Sequence, residues 1–134
     1  MLYITRKEHF SSSHMLGNPK LTKENNEKLF GKCHNLHGHN YYIEVTLTGT
    51  PDAESNYVMD LKHLKKIIHE EILEKVDHKF LNEVDMFVGI IPTTEIMAMK
   101  FWEVLENKVK RDNVKLYSVK LYETEKNYVE YRGE

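Results

Sequence analysis

Between Cys33 and His39 the chain reads Cys-His-Asn-Leu-His-Gly-His. On an extended backbone His37 and His39, two residues apart, project their rings to the same side. Imidazole is the commonest protein ligand for metals. Two on one face, with a third from elsewhere, make an open three-ligand zinc site with a fourth position for water or substrate. His14 offers the third, since it shares parity with Leu2, Ile4 and Phe10 in the N-terminal segment. Taken alone, a His-x-His pair reads as readily as two polar residues at a strand entry.

Three further groups have the chemistry of a reactive site. Asp77 directly precedes His78, and a carboxylate beside an imidazole can orient the ring and stabilise its charged form as a general acid/base pair. The plainer alternative is a surface pair at a helix end. Cys33 is the chain's one cysteine. Its thiol, with an ordinary pKa of about 8.5, needs a nearby cation or metal to become a thiolate at neutral pH; otherwise it is a small apolar residue. Glu123 ends an alternating segment on the parity of Val119 and Leu121, so it points partly inward and needs a partner. A ligand edge with two adjacent N–H donors would match it, as would a nearby lysine or backbone amide. Thr93 and Thr94 read as helix caps and Glu95 as a first-turn acid.

The elements that position these groups follow from periodicity. Leu2 to Phe10 alternates loosely as a strand, and Tyr41 to Gly49 alternates clearly, with Tyr41, Ile43, Val45 and Leu47 on one face. Extending that parity backwards puts His37 and His39 on the apolar face. Gly17 to Gly31 reads as a loop with at most one helical turn. Asp60 caps a helix reaching about Val76, its apolar side formed by Leu61, Leu64, Ile67, Ile68, Ile72 and Val76. A second helix starts at Pro92-Thr93-Thr94-Glu95 and shows Ala98, Phe101, Trp102, Leu105 and Val109 at helical spacing. Val114 to Glu123 is a strand with Tyr117, Val119, Leu121 and Glu123 on one face, and Tyr128 to Arg132 is a last short strand. The order β-β-α-α-β-β predicts an α+β domain over residues 1–134, in which two helices cover one face of a four-stranded antiparallel sheet.

Composition narrows the function classes. The 134 residues are 40% hydrophobic and 30% charged, with a net charge of −2. That is globular and gives no electrostatic case for nucleic acid. One cysteine forbids an internal disulfide and fits a reducing compartment. The N-terminal run carries Arg6, Lys7 and Glu8, which is no signal peptide, and no stretch is long enough for a membrane span. A cytoplasmic protein is the expectation.

Read together, the segments resemble the 6-pyruvoyltetrahydropterin synthase / 6-carboxytetrahydropterin synthase family. Phe10-Ser11-Ser12-Ser13-His14 is similar to its Phe-x-Ala-x-His, and Cys33 with His37-Gly38-His39 to its Cys…His-Gly-His. Val58-Met59-Asp60-Leu61 resembles the opening of its first helix, and Asp77-His78-Lys79-Phe80-Leu81-Asn82 its Asp-His-x-x-Leu-Asn. Pro92-Thr93-Thr94-Glu95 resembles Pro-Thr-x-Glu, and Tyr122-Glu123-Thr124 the Glu-Thr before the last strand. The family usually has Asn where this chain has Ile96.

The resemblance implies the tunnelling fold, in which β-β-α-α-β-β subunits join their sheets into a barrel. It also implies a homohexamer built as a dimer of trimers, with sites between subunits. It assigns Zn2+ to His14, His37 and His39, the catalytic thiolate to Cys33, a proton relay to Asp77 and His78, and the pterin anchor to Glu123, with Thr93, Thr94 and Glu95 nearby. The implied substrate is 7,8-dihydroneopterin triphosphate. Three residues separate Cys33 from His37, which is similar to the carboxy-forming enzymes of the queuosine pathway. The expected activity is therefore a zinc-dependent lyase forming 6-carboxy-5,6,7,8-tetrahydropterin with loss of acetaldehyde and triphosphate. The alternative forms 6-pyruvoyltetrahydropterin for tetrahydrobiopterin; Leu29 to Cys33 and Tyr128 to Glu134 resemble the animal enzymes of that type. The rival from another class is a catalytically silent zinc-binding module of the same fold.

Overall fold

The computed structural model describes residues 1–134, and its frame is two long strands paired along their whole length. Strand β1 (Leu2–His14) runs antiparallel to β2 (His37–Gly49), in register from Leu2 opposite Gly49 to His14 opposite His37. That register places two of the expected metal ligands across from each other, with His39 facing Ser12. The two-residue period sends Phe10, Ser12 and His14 to the same side as His39, Tyr41, Ile43, Val45 and Leu47. Phe10, Ser12, His14 and the apolar residues from Tyr41 to Leu47 are buried there.

Between these strands the chain is more regular than the sequence suggests. Helix α1 (Lys23–Phe30) fills part of the expected loop, capped by Thr22, whose side chain accepts from the Asn25 amide. It ends at Gly31, whose φ of 58° lies in the left-handed region that glycine enters without penalty. A single 3-10 turn, Gly31–His34, then carries Cys33 toward β2.

After β2, Asp60 caps α2 (Leu61–Ile68) by accepting from the Lys62 amide at 2.9 Å. The helix passes through a wide turn at His69–Leu73 and closes in α3 (Glu74–Val76). Leu64, Ile67, Ile68, Ile72 and Val76 are buried as the periodicity predicts, whereas Leu61 in the first turn is exposed. Helix α4 (Thr94–Val109) is capped by Thr93, which accepts from the Ile96 amide at 3.3 Å. It buries Met97, Ala98, Phe101, Trp102, Leu105 and Val109 against the sheet. Truncating a fully buried ring such as Phe101 to alanine typically costs about 3–5 kcal/mol. No helix is long and apolar enough to cross a membrane.

Strands β4 (Val114–Tyr122) and β5 (Tyr128–Tyr131) complete the antiparallel part. The fold is the expected two-layer α+β arrangement, with two differences in the sheet. There are five strands, in the order β3-β1-β2-β4-β5, because Lys79–Phe80 forms a short β3 parallel to β1 at Ser12 and Ser13. Two residues are too few to show alternation in sequence. The sheet stays open, with β3 and β5 as its edges. A second difference comes from a bulge: β2 steps from Thr46 opposite Ser118 to Leu47 opposite Leu116, leaving Tyr117 as the extra residue. The insertion moves Tyr117 off the face of Val119 and Leu121. It packs edge-on to Tyr3 at 4.7 Å, under the Arg132 guanidinium.

Candidate metal centre and ligand cleft

His14, His37 and His39 converge at the end of the β1–β2 pair, with one ligand atom from each within 4.8 Å of the others. Two of the three tautomers are set by backbone carbonyls. His14 Nδ1 lies 3.0 Å from the Pro92 oxygen and His37 Nδ1 lies 2.7 Å from the Asn35 oxygen. A carbonyl only accepts, so both Nδ1 atoms donate, and a neutral ring so held keeps its lone pair on Nε2. Burial pushes His14 below the ordinary imidazole pKa, and the neighbouring imidazoles act in the same direction against the Pro92 hydrogen bond. Burial also lowers His39, against the pull of Glu123. Neutral rings with free lone pairs are the form that binds metal. His39 Nε2 is buried without a hydrogen-bond partner, an orphaned atom of the kind a cation satisfies. The three residues therefore fit a metal ion.

Glu123 lies beside this cluster. Its Oε2 accepts from the Thr94 hydroxyl at 2.7 Å and is 3.9 Å from His39 Nε2, too long for a hydrogen bond. One carboxylate oxygen is thus held by the start of α4, leaving Oε1 for a ligand. Cys33, Thr93, Thr94, Glu95 and Glu123 share one cleft of about 310 Å³, closed on its other side by Leu16 and by Asn127 to Val129. Cys33 is exposed in it. Its turn is fastened at two points: the Leu16 amide donates to the Cys33 carbonyl at 2.9 Å, and His34 Nδ1 donates to the Leu16 carbonyl at 3.0 Å. Gly17 packs against the His34 ring, where a Cβ would come within 3.2 Å. Ile96, half-buried, lines a separate groove with Gly17 to Lys20 and Phe30. Ile96 is not among the residues that line the cleft of Cys33 and Glu123, although Thr93 borders both.

Asp77 and His78 are brought together but stand apart from that cleft. His78 Nδ1 is 3.0 Å from Asp77 Oδ1, and the same oxygen accepts from the Ser11 amide at 2.9 Å. The Ser11 hydrogen bond, with His78 beside it, holds the Asp77 carboxyl below the usual carboxylate range. His78 takes a left-handed backbone, φ 59°, at the corner from α3 into β3, and its side chain is 82% exposed. It lines a polar cleft with Ser11, Ser13, Asn40 and Lys79, whereas Cys33 and Glu123 line the other.

Several positioning groups have no role assigned from the sequence, although Asn82 closes the Asp-His-x-x-Leu-Asn motif. The Pro92 and Asn35 carbonyls are backbone, and periodicity does not reveal them. Asn82 clamps the residue after His14 with both ends of its amide, accepting from the Met15 amide and donating to the Met15 carbonyl, each at 2.9 Å. Tyr41 does have a signal, since it continues the parity of His37 and His39. It is fully buried, with its hydroxyl 3.5 Å from His14 Nε2.

Comparison with known proteins identifies the family. The family model described as 6-pyruvoyl tetrahydropterin synthase matches residues 3–134. The chain is 45% identical over 132 residues to the 6-pyruvoyl tetrahydrobiopterin synthase of Dictyostelium discoideum, covering 98% of this chain and 96% of that protein. It is 29% identical to the 6-carboxy-5,6,7,8-tetrahydropterin synthase of Aquifex aeolicus, covering 98% of each. The solved structure of Caenorhabditis elegans 6-pyruvoyl tetrahydropterin synthase superposes with a TM-score of 0.91 at 37% identity, over 99% of this chain and 96% of that one. The chain belongs to the 6-pyruvoyl tetrahydropterin synthase family, whose relatives are lyases forming 6-pyruvoyl or 6-carboxy tetrahydropterins.

Proposed function

We propose that this protein is a zinc-dependent 6-pyruvoyltetrahydropterin synthase acting on 7,8-dihydroneopterin triphosphate. The identity to pyruvoyl-forming relatives, 45% against 29% for a carboxy-forming one, carries the choice of product. It favours the pyruvoyl product over the carboxy product expected from the Cys33–His37 spacing. The spacing concerns one short turn, whereas the identity is distributed over the whole chain.

His14, His37 and His39 hold the zinc, which supplies Lewis acidity toward the side-chain hydroxyls of the substrate when bound. Glu123 anchors the pterin: its free Oε1 and its shared Oε2 accept from the amino group and the adjacent ring N–H. Thr94 fixes the rotamer of that carboxylate, and Thr93 and Glu95 complete the wall of the cleft. Cys33, as the thiolate, takes protons from side-chain carbon, and the Asp77–His78 pair exchanges them with side-chain oxygen. The side chain loses triphosphate while the ring is reduced from dihydro to tetrahydro. The electrons come from the side chain's own hydroxyl carbons, so the balance closes without nicotinamide or flavin.

The separation of the Asp77–His78 cleft from Cys33 supports a further element of the reading. Each relay serves the cysteine of a neighbouring copy, in a homohexamer whose sheets join at the open β3 and β5 edges. Closing those edges also removes unpaired strand backbone.

Turnover tests the reading. Zinc-loaded protein is expected to release triphosphate from 7,8-dihydroneopterin triphosphate, and Cys33→Ala is expected to retain zinc and lose that release. Triphosphate release by the variant at the wild-type rate would remove Cys33 from the mechanism. No release by the wild type would leave the silent zinc-binding module in its place.

A further inference from the structure

Tyr41 is fully buried, stacked on Phe10 with ring centres 4.9 Å apart and planes 13° from parallel. It also meets the His39 ring edge-on at 5.5 Å. These contacts leave its hydroxyl one partner, His14 Nε2 at 3.5 Å, at the outer limit of a hydrogen bond. His14 Nδ1 already holds its proton on the Pro92 carbonyl, so Nε2 is the lone pair that Tyr41 uses and also the one His14 has for a metal. The two uses exclude each other. When His14 acts as a ligand, the buried hydroxyl loses the one hydrogen-bond partner it has, beside the metal. A buried donor without a partner is disfavoured, so it is satisfied by whatever occupies the site.

We propose that Tyr41 is a substrate-contacting residue whose hydroxyl, once His14 is engaged as a metal ligand, donates a hydrogen bond to a side-chain oxygen of the bound pterin. The assignment rests on the pterin reading above and adds a specificity element to it. Glu123 recognises the ring, whereas Tyr41 recognises that the ring carries an oxygenated side chain.

Tyr41→Phe removes one oxygen and keeps the stacking on Phe10. The measurement is calorimetric titration of zinc-loaded protein with two probes: 7,8-dihydroneopterin, which has side-chain hydroxyls, and 7,8-dihydropterin, which lacks the side chain. The variant is expected to bind dihydroneopterin roughly ten-fold more weakly than wild type, bind dihydropterin equally well, and keep its full zinc content. Unchanged affinity for dihydroneopterin would overturn the proposal, and so would an equal loss for both probes. Loss of zinc in the variant would make Tyr41 a support of the metal site instead. Wild-type protein that binds neither probe would refute the pterin reading itself, and this assignment with it.

Discussion

Thr94 donates its hydroxyl to Glu123 at 2.7 Å, which ties the end of β4 to the first turn of α4. The carboxylate that faces the His cluster is therefore held in place before any ligand arrives. Thr94→Val keeps the shape and removes the donor. A hydrogen bond to a charged group is typically worth about 1.5–3 kcal/mol. Glu123 is 30% exposed, so roughly 1 kcal/mol survives solvent competition, or about five-fold in pterin affinity. Glu123→Gln turns one acceptor into a donor facing the ligand N–H and is expected to weaken binding by roughly ten- to a hundred-fold. Zinc content should be unchanged in both. Equilibrium binding of dihydroneopterin checks the pair; equal losses in the two variants would contradict the division of labour between them.

The metal centre predicts its own disassembly. His37→Ala removes one of three imidazoles from a site with no other nitrogen ligand at hand. Elemental analysis is expected to find one zinc per chain in the wild type and none in the variant. The far-ultraviolet dichroism should be unchanged, because His37 is a partly exposed residue at a strand end. Full zinc in the variant would remove His37 from the ligand set.

The separation of Cys33 from Asp77–His78 predicts complementation between chains. Cys33→Ala and His78→Ala are each expected to be inactive alone. Unfolded together and refolded as a mixture, they should form sites that take an intact cysteine from one copy and an intact relay from another. Random assembly makes about a quarter of the sites complete. Activity near that fraction supports sites between copies; none would mean that each chain must supply both groups itself.

Asp77 gives a pH dependence with a definite sign. Its carboxyl is held below the usual range by the Ser11 amide, with His78 adding to the effect. A carboxylate whose folded pKa is depressed stabilises the fold above its unfolded pKa and loses that contribution as pH falls through the folded value. Asp77→Asn should therefore be less stable than wild type at neutral pH, and the gap should close as pH falls through and below the ordinary carboxylate range. Denaturant midpoints across that range check it. A gap that does not change with pH would assign the effect to shape rather than charge.

Much of this site can be read from periodicity because its residues lie on long strands. His37, His39 and Tyr41 share one parity of β2, and that parity predicts their common face. The helix caps at Asp60 and Thr93 are similarly visible, because a cap needs a particular side chain at one position. What brings Cys33 to Glu123 is tertiary: the sheet order places β4 beside β2, and no spacing in the chain encodes that. Tyr117 lands on the opposite face from its expected one because a bulge inserts one residue, and one residue reverses every side chain in a strand. Strand β3 is hidden by being two residues long, and α1 by its polar sequence. The adjacency of Asp77 and His78 is plain in the sequence, but not the left-handed turn from which His78 lines its cleft. The pyruvoyl product is proposed over the one expected from the Cys33–His37 spacing for a related reason: a short turn carries less information than identity along the whole chain.

The choice of product is the centre of the account. Zinc-loaded protein should be incubated with 7,8-dihydroneopterin triphosphate under anaerobic conditions and the pterin identified by mass spectrometry, with acetaldehyde assayed in the same sample. The predicted result is 6-pyruvoyltetrahydropterin, its three-carbon side chain intact, with triphosphate and without acetaldehyde. A 6-carboxytetrahydropterin formed together with acetaldehyde would contradict it.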